Sequence, residues 1–151
     1  EKKTGIALDI GAGSQRRPGF VTLDKLNLPT VDIVHDMEKF PWPLENESCI
    51  TIIASQVLHY IKADSILKVM DELWRIAKPE CQLAISVPYG VSDLFVQDPC
   101  AVNPWNEATC KYFDPDFPEF KVYCPKPWKI QFGPTFQVNG IMEVLLQKRS
   151  Q

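Results

Sequence analysis

Leu8-Asp9-Ile10-Gly11-Ala12-Gly13 ends a run that opens at Gly5-Ile6-Ala7, and its reading decides the fold. A short unalternating apolar run that ends on glycines predicts a buried parallel strand feeding a tight turn. Three further runs follow the same grammar. They are Phe20-Val21-Thr22-Leu23-Asp24, Val31-Asp32-Ile33-Val34-His35-Asp36 and the β-branched Cys49-Ile50-Thr51-Ile52-Ile53-Ala54-Ser55. Residues 82–87 predict a fifth strand, ended by Pro88.

Between the fourth and fifth runs lies a clear helical pattern, residues 63–77. Ile66, Met70, Leu73 and Ala77 recur at i, i+4, i+7 and i+11, and Leu67 and Trp74 widen that apolar face. Asp64 or Ser65 can cap its start, and Pro79 stops it. Asn106 could cap a short helix through Phe113. Residues 128–132 and 141–147 predict two late strands, joined through Asn139-Gly140 as an antiparallel hairpin. Strand-helix-strand order with buried strands predicts an α/β architecture: one mostly parallel open sheet closed by a terminal antiparallel hairpin.

At 151 residues and 45% hydrophobic content the chain suits one domain with a real core. The expected organisation is a core over 5–89, an irregular segment over 91–129 and a closing hairpin over 128–148. Seven of the 13 prolines fall between Pro99 and Pro134, which marks the irregular part. The net charge of -3 argues against a generic nucleic-acid binder, and the basic residues Lys121, Lys126 and Lys129 are interleaved with acids. Five cysteines without C-x-x-C spacing argue against a disulfide framework or a zinc knuckle, so no metal is expected. No apolar run approaches the ~18 residues of a membrane span, and the chain reads as a soluble cytosolic protein.

Ligands of open parallel sheets sit at the carboxyl ends of the strands. Here those ends carry Asp9 before residues 11–13, then Asp24, Asp36 and Ser55-Gln56. One such aspartate would simply cap a turn; three beside a glycine turn point to a shared ligand. A pyrophosphate needs a helix N-terminus after the glycines. Only ten residues separate Ile10 from Val21, Arg16 stands where a third glycine would, and Pro18-Gly19 breaks any helix. A nucleoside without phosphates needs no such helix.

These blocks resemble the class I S-adenosylmethionine (SAM) dependent methyltransferases, which have a Rossmann-like fold. The resemblance is to a small group, methyltransferase-11-like, whose glycine motif runs directly into an R-R-P-G-[FY]-x-x-x-D segment. It rests on residues 8–13, Arg16-Arg17-Pro18-Gly19-Phe20, Leu23-Asp24 and residues 31–36, then Phe40-Pro41-Trp42-Pro43 and Ala54-Ser55-Gln56-Val57-Leu58. It continues through Asp71-Glu72-Leu73-Trp74-Arg75-Ile76, Lys78-Pro79 and Ile85-Ser86-Val87-Pro88-Tyr89, and so covers about residues 5–89.

The resemblance implies methyl transfer from SAM, with S-adenosyl-L-homocysteine as product. Asp9, Gly11, Ala12 and Gly13 would face the methionine part, and Arg16 or Arg17 would pair with its carboxylate or else lie in a solvated turn. Asp24 would take the ribose hydroxyls, Asp36 and the Met37 backbone the adenine, and Ser55 and Gln56 the floor beside the sulfonium. The chain departs from the family at three places. His59-Tyr60 stands for the family's Glu-His, Glu80-Cys81 for Gly-Gly, and Ala101 for the histidine of Asp-Pro-x-His. His59 and Tyr89 are the catalytic candidates. His59 is a base by its near-neutral pKa, or else a histidine bonded to backbone at a helix entry.

The acceptor is unidentified, with a small molecule favoured over a nucleic acid and no membrane partner. Aromatic residues of segment 91–129 either stack on a planar substrate or pin the loop, and pinning is the favoured reading. Two alternatives are a SAM-binding or scaffold domain that has lost turnover, and a nucleotide-dependent oxidoreductase.

Overall fold

The computed structural model describes residues 4–151. Seven strands form one sheet: β1 (Ile6–Ile10), β2 (Val21–Asp24), β3 (Ile33–Val34), β4 (Cys49–Ser55), β5 (Ala77–Pro88), β6 (Trp128–Phe136) and β7 (Ile141–Lys148). Their order is β3-β2-β1-β4-β5-β7-β6. The first five pair in parallel. β7 enters antiparallel between β5 and β6, so the predicted hairpin forms and places β6 at the edge.

The period of two sorts the side chains onto two faces of different burial. One face carries a register-matched ladder of Leu8 and Ile10, Ile52 and Ala54, Leu83 and Ile85, Val144 and Leu146. All eight are buried, in one cluster with Val69, Met70, Leu73 and Ile76 of helix α1 (Ile66–Ile76) and with Trp42, Trp105 and Trp128. Each of the buried leucine, isoleucine, valine and methionine side chains contributes about 1.5–3 kcal/mol by leaving water. The opposite face carries Ile53, Ser55, Ala84, Ser86, Glu143 and Leu145, all only half-buried. No helix occurs in the connections after β1, β2 or β3. Among the described residues α1 is the only α-helix longer than the four-residue α2 (Asp93–Val96).

Several boundaries differ from those the sequence predicts. The helix is shorter, 66–76 instead of 63–77; Ser65 stands at its N-cap but its hydroxyl makes no capping bond. β5 begins at Ala77, not Gln82, because Ala77 already pairs with Cys49, and the chain turns through Glu80 at φ +66° before the ladder resumes. Pro79 therefore sits at the irregular start of a strand, where a missing N–H is tolerated. β3 shrinks from the expected six residues to two: Val31 and Asp32 precede the strand without pairing as strand, and after it the His35 N–H makes the last bond to β2, on the Asp24 carbonyl, before the turn at 37–38. The helix expected through Phe113 is a 3-10 turn, Thr109–Phe113.

The proline-rich segment is pinned by its aromatics, as the favoured reading had it. Trp105 and Phe113 are buried in the core, and the Tyr112 ring meets Phe120 edge-on at 5.1 Å. Residues 37–48 are fastened to α1 by polar contacts. Buried Glu72 accepts the Trp42 N–H (2.8 Å), while Arg75 pairs with Glu72 and donates to the carbonyls of Trp42 and Leu44. None of the five cysteines is in a disulfide. No helix among the described residues is long and apolar enough to cross a membrane.

Candidate functional site

The parallel strands bring Asp9, the glycine turn, Asp24 and Gln56 to one end of the sheet. β1 stops at Ile10, and Gly11 and Gly13 take φ of +68° and +58°, the left-handed region that glycine enters freely. The two glycines differ in their surroundings. A Cβ on Gly11 would stand 2.4 Å from Val57 Cγ2, so the turn is pressed against the segment leaving β4. A Cβ on Gly13 would meet nothing within 4 Å, so this side of the turn is open to a ligand.

Asp24 ends β2 and is buried. Its Oδ2 accepts the Gly13 N–H (2.9 Å) and its Oδ1 the Leu26 N–H (2.9 Å). The carboxylate thereby ties the glycine turn to β2, and each oxygen keeps a second lone pair. Asp36 follows β3, and its Oδ1 accepts the Glu38 N–H (2.9 Å). The Met37 carbonyl accepts the Trp42 indole N–H (2.9 Å), which fixes the backbone beside Asp36. His35 orders this corner: its N–H donates to the Asp24 carbonyl and its Nε2 contacts the Lys39 carbonyl at 2.7 Å.

The two arginines separate. Arg16 reaches away from the glycine turn, pairing with Asp32 (3.0 Å) and donating to the Thr30 carbonyl (3.1 Å). It fastens the β2–β3 connection through a contact sixteen residues away. Arg17 pairs with buried Asp9 (3.2 Å). Burial raises the Asp9 pKa, and the Arg17 charge opposes that rise.

Ser55 and Gln56 also diverge. Ser55 lines a cleft of about 350 Å³ on the half-covered sheet face, with Arg17, Ser86, Phe132 and Glu143. Gln56 turns at φ +55°, a strained conformation for a non-glycine residue, and lines a second cavity of about 520 Å³. Its Nε2 donates to Ser86 Oγ (3.3 Å), which donates to Ser55 Oγ (3.2 Å), so a polar chain links cleft and cavity.

The second cavity holds His59 and Tyr60, on the 3-10 turn Leu58–Tyr60, opposite Leu94, Gln97, Asp98 and Pro99. The wall from segment 91–129 is clasped to that turn: the His59 carbonyl accepts the N–H groups of both Val102 and Asn103. His59 is buried, and its Nδ1 is enclosed without a hydrogen-bond partner. Burial lowers its pKa below the ordinary 6.5, with the Asp98 charge opposing. The ring bond to backbone expected from the sequence is absent at Nδ1, and the backbone contacts of His59 run through its main-chain carbonyl. The Tyr60 hydroxyl donates to Asp98 Oδ2, and the Tyr60 pKa is pushed up to about 12 by that bond, then by burial and the Asp98 charge. The same bond lowers the Asp98 pKa. Tyr89 is not a wall of this cavity. Its ring lies edge-on to Phe136 at 5.4 Å, and a hydrogen bond to Glu107 raises its pKa.

No family model and no curated protein matches the chain. Solved structures do. A SAM-dependent methyltransferase from Archaeoglobus fulgidus superposes with a TM-score of 0.67 at 12% identity, over 97% of this chain and 87% of that one. One from Aquifex aeolicus gives 0.58 at 18% identity over 96% and 83%. A third, from Mesorhizobium loti, gives 0.60 at 11% identity over 96% and 92%. Strand order, antiparallel edge and superposition agree: the chain has the Rossmann-like fold of the SAM-dependent methyltransferases.

Proposed function

We propose that the chain binds SAM over the glycine turn and transfers its methyl group to an acceptor. The observation that carries this reading is Asp24, a buried carboxylate joined to the open side of the glycine turn at the carboxyl end of the sheet. The site fits such a ligand. The open space at Gly13 admits close backbone approach, Asp24 has lone pairs to spare for ribose hydroxyls, and Asp36 with the fixed Met37 backbone suits an adenine amino group. Residues 11–13, Asp9, Asp24, Asp36, Met37, Ser55 and Gln56 are the assigned binding residues. Arg16, whose pair with Asp32 is exposed, or Arg17 is the proposed partner of the methionine carboxylate.

SAM, when bound, supplies an electrophilic methyl carbon on a sulfonium. The protein's task is to orient the acceptor in line and exclude water, which can supply roughly 7–11 kcal/mol of the barrier. Gln56 stands between glycine turn and cavity and is suited to that positioning. The oxidoreductase alternative lacks its physical device, since residues 11–20 form no helix to receive a pyrophosphate. Amide NMR titration with S-adenosyl-L-homocysteine tests the reading. Shifts at residues 11–13, Asp24, Asp36 and Met37 support it, and shifts confined to other strands contradict it.

A further inference from the structure

The cavity beside the glycine turn has an uneven charge. Asp98 is its one carboxylate, and among the described residues no lysine or arginine lines it. The Tyr60 bond and the Cys100 N–H (3.0 Å) hold Asp98 as the carboxylate, below its ordinary pKa. Burial keeps His59 neutral, and Tyr60 stays protonated. The His59 and Tyr60 rings lie with centroids 4.0 Å apart at a tilt of 39°, an aromatic pair next to that charge. Pro88, Leu94 and Pro99 supply apolar surface, and Gln56 and Gln97 supply neutral polar groups.

We infer that this cavity seats the methyl acceptor and selects a small organic molecule carrying a protonated amino group, held by Asp98 against the Tyr60 and His59 rings. The inference rests on the methyl-transfer reading above for the word acceptor; the ligand chemistry follows from the cavity alone. An ammonium completes what the cavity leaves open. Each Asp98 oxygen accepts one bond from the protein and keeps a lone pair for a cation. Asp98 meets the hydroxyl end of Tyr60, so the ion pair with the carboxylate is what attracts the cation. A carboxylate ligand would meet Asp98 with no cation in the lining to offset the repulsion. A neutral alcohol could take the polar bonds but not the charge.

The test is an amide NMR titration of the full chain, with and without S-adenosyl-L-homocysteine, using benzylamine, benzyl alcohol and benzoate as shape-matched probes. Benzylamine, protonated at neutral pH, is expected to shift Tyr60, Gln97 and Asp98 with a Kd about tenfold below that of the alcohol, equivalent to one charge-assisted bond. Benzoate is expected to give no shift there. Asp98→Asn, which keeps an oxygen for Tyr60 and removes the charge, should bring amine and alcohol to equal affinity. Equal binding of benzoate, no cavity shifts with roughly 20 mM benzylamine, or an amine preference surviving in Asp98→Asn overturns the inference. Failure to bind S-adenosyl-L-homocysteine with the amine preference intact would overturn the methyl-transfer reading instead.

Discussion

Val57 Cγ2 lies where it would meet a Cβ on Gly11 at 2.4 Å, so the end of β1 and the segment after β4 are fitted to each other through the absence of one side chain. The same segment continues into Leu58–Tyr60, the 3-10 turn of the second cavity. Glycine turn and cavity are therefore set by one packing contact.

Gly11→Ala should destabilise the fold by about 2–4 kcal/mol, combining the left-handed backbone with overpacking against Val57. Adding Val57→Ala should return only part of the overpacking, because Val57 Cβ itself lies 2.7 Å from that position, and should leave the backbone part. Urea unfolding of the single and double variants measures both. A Gly11→Ala effect within about 0.5 kcal/mol, the range of an ordinary surface change, would contradict the contact.

Arg75→Ala should cost about 2–4 kcal/mol, the lower part of the range for breaking a buried pair, because Arg75 keeps some water contact. It leaves Glu72 buried and releases the carbonyls of Trp42 and Leu44. Urea unfolding read by tryptophan fluorescence checks this. Glu72→Gln should cost less, because its amide oxygen still accepts the Trp42 N–H.

The sheet was legible because buried parallel strands announce themselves locally, as in residues 6–10 and 49–55. The hairpin was legible from Asn139-Gly140, where Gly140 takes φ +91°. The start of β5 was not, since Pro79 reads as a stop and only pairing with Cys49 recruits Ala77. In the site, Asp24 beside the glycine turn could be anticipated from strand ends. The Arg16–Asp32 and Tyr60–Asp98 pairs could not. They join residues sixteen and thirty-eight positions apart, and loop geometry decides such partners.

The His59 ring makes stability depend on pH. Its folded pKa lies below the ordinary 6.5, so its contribution is fully present above 6.5 and is lost as pH falls from 6.5 towards the folded value. Asp98 and Tyr60 are the neighbouring titrating groups. Unfolding free energy should therefore drop as pH falls below the ordinary 6.5, and His59→Gln should flatten that drop. An identical slope in the variant would show that His59 does not titrate as described.

Tyr60 should be the late-titrating phenol. Absorbance titration of the wild type, minus that of Tyr60→Phe, should show ionisation near about 12, and in Asp98→Asn it should move towards 10. The bond's contribution is present below pH 10 and is lost as pH rises through about 12. A Tyr60 difference titration near 10 in the wild type would contradict the hydrogen bond.

Calorimetric titration of SAM into the chain decides whether the glycine turn and Asp24 form a SAM site. A SAM site there gives saturable binding, no binding of NAD, and at least about a tenfold loss in Asp24→Asn, one charge-assisted bond's worth. Urea unfolding of the variant would separate that loss from a loss of fold. No saturation with SAM at about 1 mM, equal binding of NAD, or an Asp24→Asn variant that binds SAM as the wild type does would contradict it.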